Sequence, residues 1–403
     1  MSNIYLYNKT RFTHYFIKRK KWVNTLCAYL IFICWCALFI NIMLWSMFYL
    51  STDYFVSVYG ICVVLYYTMQ LIFAEVYRRR IAKIMKFNIK ENYYILGIQI
   101  VGYREDFDNF KACVESAINI DYQNKIIVVS IDGDDKEDLL MYDVAYGLLE
   151  SSNCRYKILL NPHEGKRGAL YHAYMYLRDK TDFVITTDSD SILPQEAYKL
   201  MVPMILNSEI IVTCGEVHLS NDTVNLLTRV LVPRYYVAFA LERNAFSYVG
   251  SMNCASGPLG CYRSAYLRIP NILEKELRHQ RYLWCKNCHV GDDRHMTVTA
   301  LKYGKCLSVP YIYSLSESPT ALHRFIVQQT RWAKSYHRET VLEIKSTKYH
   351  NILYCFFIAF NYTFSFLLVV YLVFLLLTNK SWWYLLISCC IMVCINILRS
   401  FYL

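Results

Sequence analysis

Two long apolar stretches near the amino end constrain this chain more than any other feature. Trp22–Leu50 and Tyr54–Ala74 each reach the roughly 20 apolar residues with which a helix crosses a bilayer, and only the polar step Ser51-Thr52-Asp53 parts them. Backbone amides cannot go unpaired in hydrocarbon, so a transmembrane helical hairpin is expected over residues 22–76. The basic residues before the first stretch would suit a cleaved leader, but the stretch is too long and has no small-residue cleavage site. Lys18-Arg19-Lys20-Lys21 precedes the hairpin and Arg78-Arg79-Arg80 follows it. That positive charge places both ends, with the basic segment 1–21 and the domain that follows, in the cytosol. A second apolar block, Tyr354–Thr378 and Trp382–Ile397, is expected as C-terminal spans. The chain is read as a multi-pass membrane protein, most simply of the plasma membrane.

Composition narrows the partners. A formal net charge of +11 over 403 residues suits nucleic acid, an anionic membrane or anionic substrates. Lys and Arg gather mainly at the membrane flanks and no nucleic-acid motif appears, so the bilayer is the expected partner and nucleic acid is not. The 16 cysteines are scattered, many inside apolar runs, and are read as reduced small hydrophobes. Cys285-x-x-Cys288-His289 is half a zinc pattern with no second ligand pair at finger spacing, so no zinc site is expected.

Between the apolar blocks the pattern changes. Short β-branched runs (Ile95–Val101, Lys125–Ile131, Phe183–Thr187, Glu209–Cys214) alternate with helical stretches such as Asp106–Ile120 and Gly168–Leu177. Such a rhythm predicts an α/β domain over residues 77–320 with a mainly parallel sheet, whose ligands gather at the carboxyl ends of the strands. Two later stretches, Val224–Phe246 and His323–Leu342, mix aromatics and aliphatics with Arg and Lys at helical spacing. They are expected as helices lying in the membrane interface, the second within residues 321–350, with amphipathic core helices as the alternative.

The acidic motifs fall where that sheet would present them. Asp188-Ser189-Asp190 ends the run Phe183–Thr187, so one carboxylate is placed to hold a divalent cation and the other a donor sugar or ribose. A D-x-D is more often a solvated turn, and its neighbours raise it. Ile131-Asp132-Gly133-Asp134-Asp135 ends another strand in carboxylates suited to uracil or ribose, or is simply an acidic turn. Gly165-Lys166-Arg167-Gly168 sets cations at a helix start, where phosphate is favoured. In Gly291-Asp292-Asp293 a carboxylate entering a helix suits a general base for an acceptor hydroxyl, with an N-cap aspartate as the alternative. Gln328-Gln329-Thr330-Arg331-Trp332 joins amides, a phosphate-clamping guanidinium and a sugar-stacking indole on one helix, which by itself would be read as a core helix.

Taken in order, D-G-D, G-K-R, D-S-D, S-G-P-L-G, G-D-D and Q-Q-x-R-W resemble the processive family 2 glycosyltransferases, which include cellulose, chitin and hyaluronan synthases. The likeness covers about residues 20 to 345 and is strongest to the hyaluronan synthases. It is carried by Gly102-Tyr-Arg-Glu-Asp106, Arg234-Tyr-Tyr-Val-Ala-Phe239, Ser256-Gly-Pro-Leu-Gly-Cys-Tyr-Arg263, Gly291-Asp-Asp-Arg-His295 and Gln328-Gln-Thr-Arg-Trp-Ala-Lys-Ser335. The resemblance implies a GT-A fold between transmembrane helices, Mn²⁺ or Mg²⁺, and UDP-GlcNAc and UDP-glucuronate as donors. It further implies a growing hyaluronan chain extruded through the membrane.

Carried over motif by motif, Tyr103 and Asp132 would bind the uridine with Glu105 nearby, and Lys166 would support the nucleotide. Asp190 would take the metal and Asp188 the donor. Asp293 would be the base in preference to Asp292. Arg331 would meet the diphosphate. Trp332, in the motif that Gln328 opens, would line the acceptor site, with Cys254, Ser256 and Gly257 at its border. The implied reaction is direct, inverting transfer. The family ordinarily carries further C-terminal spans and a late Trp-Gly-Thr loop, so residues 351–403 are expected to form only part of a channel. The alternatives are a chitin or chito-oligosaccharide synthase using UDP-GlcNAc alone, and a non-catalytic membrane protein that binds nucleotide.

Overall fold

The structure, a computed structural model, describes Leu30 and residues 32–41, 52–84, 93–207, 209–278 and 291–377. The basic amino terminus, Cys285, Cys288, His289, the span Trp382–Ile397 and most of Trp22–Leu50 lie outside the described residues.

Among the described residues two helices come first, α1 (Phe32–Asn41) and α2 (Thr52–Ile84). The expected strands then pair as their composition requires. β1 (Leu96–Gly102) and β2 (Lys125–Asp132) are buried at every position, as strands covered on both faces must be. With β3 (Arg155–Asn161) and β4 (Phe183–Asp188) they run parallel, connected by α3 (Phe107–Ile118), α4 (Lys136–Glu150) and α5 (Lys166–Leu177). Beyond them come β5 (Ser191–Ile192), α6 (Ala197–Leu206), β6 (Ile210–Leu219), α7 (Leu226–Tyr236), α8 (Glu242–Val249), β7 (Gly260–Arg263), α9 (Asp292–Ala300) and β8 (Lys305–Ser316). One mixed sheet of eight strands results, in the order β3-β2-β1-β4-β7-β6-β8-β5. Two long helices close the described chain, α10 (Leu322–Ser346) and α11 (Ile352–Leu377).

Register decides where chemistry collects. Gly102 lies opposite Ile131, and Val101 opposite Asp188, so β1, β2 and β4 end level and deliver Tyr103, Asp132 and Asp188 to one edge. Antiparallel β7 enters at the same edge, with Gly260 opposite Thr186, which brings the Ser256–Leu259 loop beside Asp188.

Two expectations shift. α2 does not stop at Ala74 but runs on through Arg78–Arg80. Its last turns dock on the sheet domain: the Tyr77 hydroxyl donates to the Ser308 carbonyl at 2.7 Å, and Arg78 donates to the Tyr236 hydroxyl at 2.9 Å. The stretch 224–246 divides at a π-helical turn, Val237–Leu241. Its first part leaves Leu226 and Val230 exposed, while Val237, Ala240, Leu241, Ala245 and Phe246 are buried. Only the first part fits an interface helix; the second is core, stacked on α2 through Phe73 and Tyr248 at 4.9 Å between centroids.

Among the described residues one segment, Ile61–Lys83, is long and apolar enough to cross a membrane. α11 packs on α2, and α1 on α11, through aromatics. Tyr66 stacks on Phe360 at 4.0 Å and donates to Asn361 Oδ1 at 2.7 Å, and Phe39 meets Phe360 edge-on at 5.4 Å.

Candidate active site

The nucleotide end of the site is built on the first two strands. Asp132 closes β2 almost fully buried, and its Oδ1 accepts from the Glu164 amide at 2.9 Å. Asp135, three residues on, is instead the N-cap of α4, with a reciprocal capping box to Asp138 and an ion pair to Arg104. The acidic run is thus a strand-end carboxylate followed by a helix cap, a role that sequence reasoning missed for Asp135. Tyr103 is exposed just beyond β1 with the Arg104 guanidinium 5.1 Å from its ring centre.

Lys166 ties the motifs together. It opens α5, and its Nζ lies 2.6 Å from Asp188 Oδ1 and 4.0 Å from Asp292 Oδ2, joining G-K-R, D-S-D and G-D-D in one place. Burial opposes its charge, but Asp188, Asp292 and Asp293 outweigh that and hold the ammonium protonated. Around it the carboxylates repel one another. Asp190 is raised by burial and then by Asp188, and Glu105 by burial and then by Asp190. Such crowding of negative charge fits a divalent cation. Among the described residues no three His, Cys, Asp or Glu groups cage an ion; Mg²⁺-type sites use one or two carboxylates and complete their shell with phosphates and water.

Gly257 shapes the same spot. A Cβ there would fall 2.7 Å from both oxygens of Asp188, so only glycine lets the carboxylate sit as it does. Replacing Gly257 by Ala is expected to push Asp188 aside and lower sugar transfer about 100-fold, the typical cost of a misplacement of about 1 Å. The melting temperature should hardly move, because the obstacle is a side-chain tip; kinetics and a thermal melt on the same sample check both.

Asp292 and Asp293 begin α9 and line a partly open recess with Gly257, Thr186, Tyr174 and Tyr262. Burial, then Asp292, raises Asp293 above the ordinary carboxylate range. Its Oδ1 accepts from the Arg294 amide at 2.8 Å, and the Cys254 thiol donates to Oδ2 at 3.6 Å. Burial pushes that thiol up to about 12, so it stays a neutral donor. Ser256 turns away from the carboxylates: it is buried and its hydroxyl accepts from Arg243 at 2.7 Å.

The Q-Q-x-R-W residues gather elsewhere on the rim. Gln328 Nε2 donates to the Tyr235 hydroxyl at 3.3 Å, and Trp332 meets Phe239 edge-on at 5.6 Å. Burial raises the Tyr235 phenol, and the charge of Asp190 adds to this, so this aromatic group stands near the D-S-D carboxylates. Arg331 is exposed and among the described residues is not drawn into the carboxylate cluster.

Sequence reasoning missed a buried ionic clamp. His295 on α9 bonds Glu276 through Nε2 at 2.7 Å and Glu339 on α10 through Nδ1 at 2.9 Å, and Arg338 pairs with Glu339 at 2.8 Å. All four are almost fully buried. Burial disfavours charge on His295, Glu276 and Glu339, but their mutual hydrogen bonds prevail, raising the histidine and lowering both glutamates. A raised histidine stabilises fully below its unfolded pKa of about 6.5, and the lowered glutamates above theirs of about 4.3. The clamp therefore contributes most between those values, fading as pH rises through the raised histidine or falls through the lowered glutamates. Glu339→Gln is expected to cost about 3 kcal/mol, as breaking a buried pair does, and to flatten the alkaline side of the stability profile measured by denaturant unfolding.

Comparison with known proteins agrees with this geometry. The family described as Glycosyltransferase like family 2 matches residues 97–335. Hyaluronan synthase 2 of Xenopus laevis is 29% identical over 332 residues, covering 72% of this chain and 59% of that protein. Hyaluronan synthase 3 of Mus musculus is 28% identical over 324 residues, covering 70% and 58%. The chain thus spans a little under three fifths of these relatives' length. The mannosyltransferase PcManGT from Pyrobaculum calidifontis, solved in complex with GDP-Man and Mn²⁺, aligns at a TM-score of 0.49 and 12% identity over 86% of this chain and 99% of its own. The mixed sheet with flanking helices is the expected GT-A fold, and the chain is a glycosyltransferase that belongs to glycosyltransferase-like family 2.

Proposed function

We propose that this glycosyltransferase is a hyaluronan synthase that joins sugars from UDP-GlcNAc and UDP-glucuronate at the cytosolic face of a membrane. The observation that carries the reading is Lys166, which gathers Asp188 of D-S-D and Asp292 of G-D-D into one site. Similarity to hyaluronan synthases along most of the chain supports the choice of sugars. Asp190, with Asp188 beside it, would hold Mn²⁺ or Mg²⁺, which supplies positive charge against the departing diphosphate. Lys166 adds a fixed cation at the same place. Tyr103 and Asp132 receive the uridine, and Glu105 lies close by.

Asp293 accepts the proton of the acceptor hydroxyl, and burial suits it to the task by raising its affinity for that proton. The acceptor oxygen bonds to the anomeric carbon as the bond from that carbon to the diphosphate oxygen breaks. UDP leaves, and an α-linked donor yields a β-linkage. Trp332, packed on Phe239 and Tyr235, offers a flat wall for the acceptor sugar, and Arg331 reaches the diphosphate once substrate is bound.

Membrane embedding is supported by what α2, α7 and α10 leave uncovered. Ile61, Leu65 and Ile72 on α2, Leu226 and Val230 on α7, and Leu322, Ile326 and Val327 on α10 are all exposed. The last two groups flank the apolar contact of Leu231 and Tyr235 with Phe325 and Trp332, so the paired helices turn an apolar edge outward, as helices at a bilayer surface do. The test is UDP release by purified protein with each donor alone and both together. Release with both, exceeding the sum of the two alone, supports two alternating donors; full activity on UDP-GlcNAc alone contradicts them.

A further inference from the structure

We propose that His163 is a stand-in for the nucleobase, covering the uridine site until the nucleotide displaces it. The proposal rests on the reading of Tyr103 and Asp132 as that site. The imidazole lies on the Tyr103 ring with centroids 4.4 Å apart and planes 23° apart, the stacked geometry a pyrimidine would adopt. Its Nδ1 is 3.1 Å from Asp132 Oδ2 and 3.1 Å from the Asp132 carbonyl oxygen. Both neighbours are acceptors, so Nδ1 carries the proton and donates, much as the N3–H of uracil would donate to a carboxylate.

Nothing else on Asp132 is left to offer a ligand. The residue is 1% exposed, and its other oxygen is taken by the Glu164 amide. A base can therefore reach the Tyr103 face and Asp132 Oδ2 together only if His163 leaves both. The histidine is free to do so, since its side chain is 57% exposed and sits in the Pro162–Gly165 turn ahead of α5. Tyr103 is held for the incoming ring, with Arg104 at 5.1 Å and Arg104 in turn paired to Asp135. The same turn leads into Lys166, so displacement of His163 and engagement of the diphosphate occur on adjoining residues.

A site occupied by its own side chain binds ligand more weakly by the fraction of time it stands open. Removing the occupant should tighten binding. The full chain in detergent, titrated calorimetrically with UDP, is expected to bind about tenfold more tightly as His163→Ala than as wild type, and more weakly as Tyr103→Ala. Unchanged or weaker binding by His163→Ala, with Tyr103→Ala weakened, overturns the proposal and leaves the nucleobase site standing, with the histidine as an added stacking partner. Unchanged binding by Tyr103→Ala overturns the nucleobase reading itself. A second measurement needs no variant: modification of His163 by diethyl pyrocarbonate, followed by peptide mass, should speed up when UDP is added. Protection by UDP contradicts displacement.

Discussion

Replacing Asp293 by Asn is expected to lower sugar transfer about 1,000-fold, within the range that general-base removal produces, while leaving UDP affinity unchanged. Asn keeps the shape: its oxygen can still accept from the Arg294 amide, and its NH2 then donates toward the Cys254 sulfur that borders the other position, so the site stays assembled and loses its proton acceptor. The wild-type rate carries a second signature. A base works deprotonated, and burial together with Asp292 raises Asp293 above its ordinary value of about 3.9. Transfer should therefore decline on the acid side at a pH above that value. Asp292→Asn removes the like charge and should move this limb to lower pH. If Asp292→Asn abolishes transfer and Asp293→Asn does not, the two roles are reversed.

Gly291→Ala should be strongly destabilising. Gly291 stands in the left-handed region at φ +73° just before α9, and a Cβ there would lie 1.9 Å from Ser335 Oγ and 2.5 Å from Ser335 Cβ. Left-handed backbone costs about 1–3 kcal/mol for a non-glycine residue, and overpacking adds about 1–3 kcal/mol. A loss of about 4 kcal/mol is expected by denaturant unfolding, together with loss of transfer, since α9 carries Asp292 and Asp293. Ser335→Gly in the same chain removes the obstructing atoms and should recover roughly the overpacking share. A double variant no better than Gly291→Ala would show that strain, not contact with α10, dominates.

Asp293, Gly291 and their partners show what the sequence could and could not reveal. The strand ends were legible, because β-branched runs stop at Asp132 and Asp188 and the parallel register brings such ends level. The helices of G-K-R, G-D-D and Q-Q-x-R-W were legible from apolar spacing and motif order. The pairing of Gly291 with Ser335 was not, although both lie in recognised motifs, since no local pattern reports which glycine meets which helix. His295 was quoted only as the end of a motif; its partners Glu276 and Glu339 stand 19 and 44 residues away. Apolar spacing also could not separate exposed from core-facing residues on Val224–Phe246. Both faces of that stretch carry aromatics, and only the docking of α2 decides that its second half is covered.

Membranes containing the chain are to be incubated with UDP-GlcNAc, UDP-glucuronate and Mn²⁺, and the product then digested by hyaluronidase. The expected product is a polymer that incorporates label from both donors, is degraded by the enzyme and is absent from membranes carrying Asp293→Asn. A product built from GlcNAc alone and resistant to hyaluronidase would contradict the proposed function.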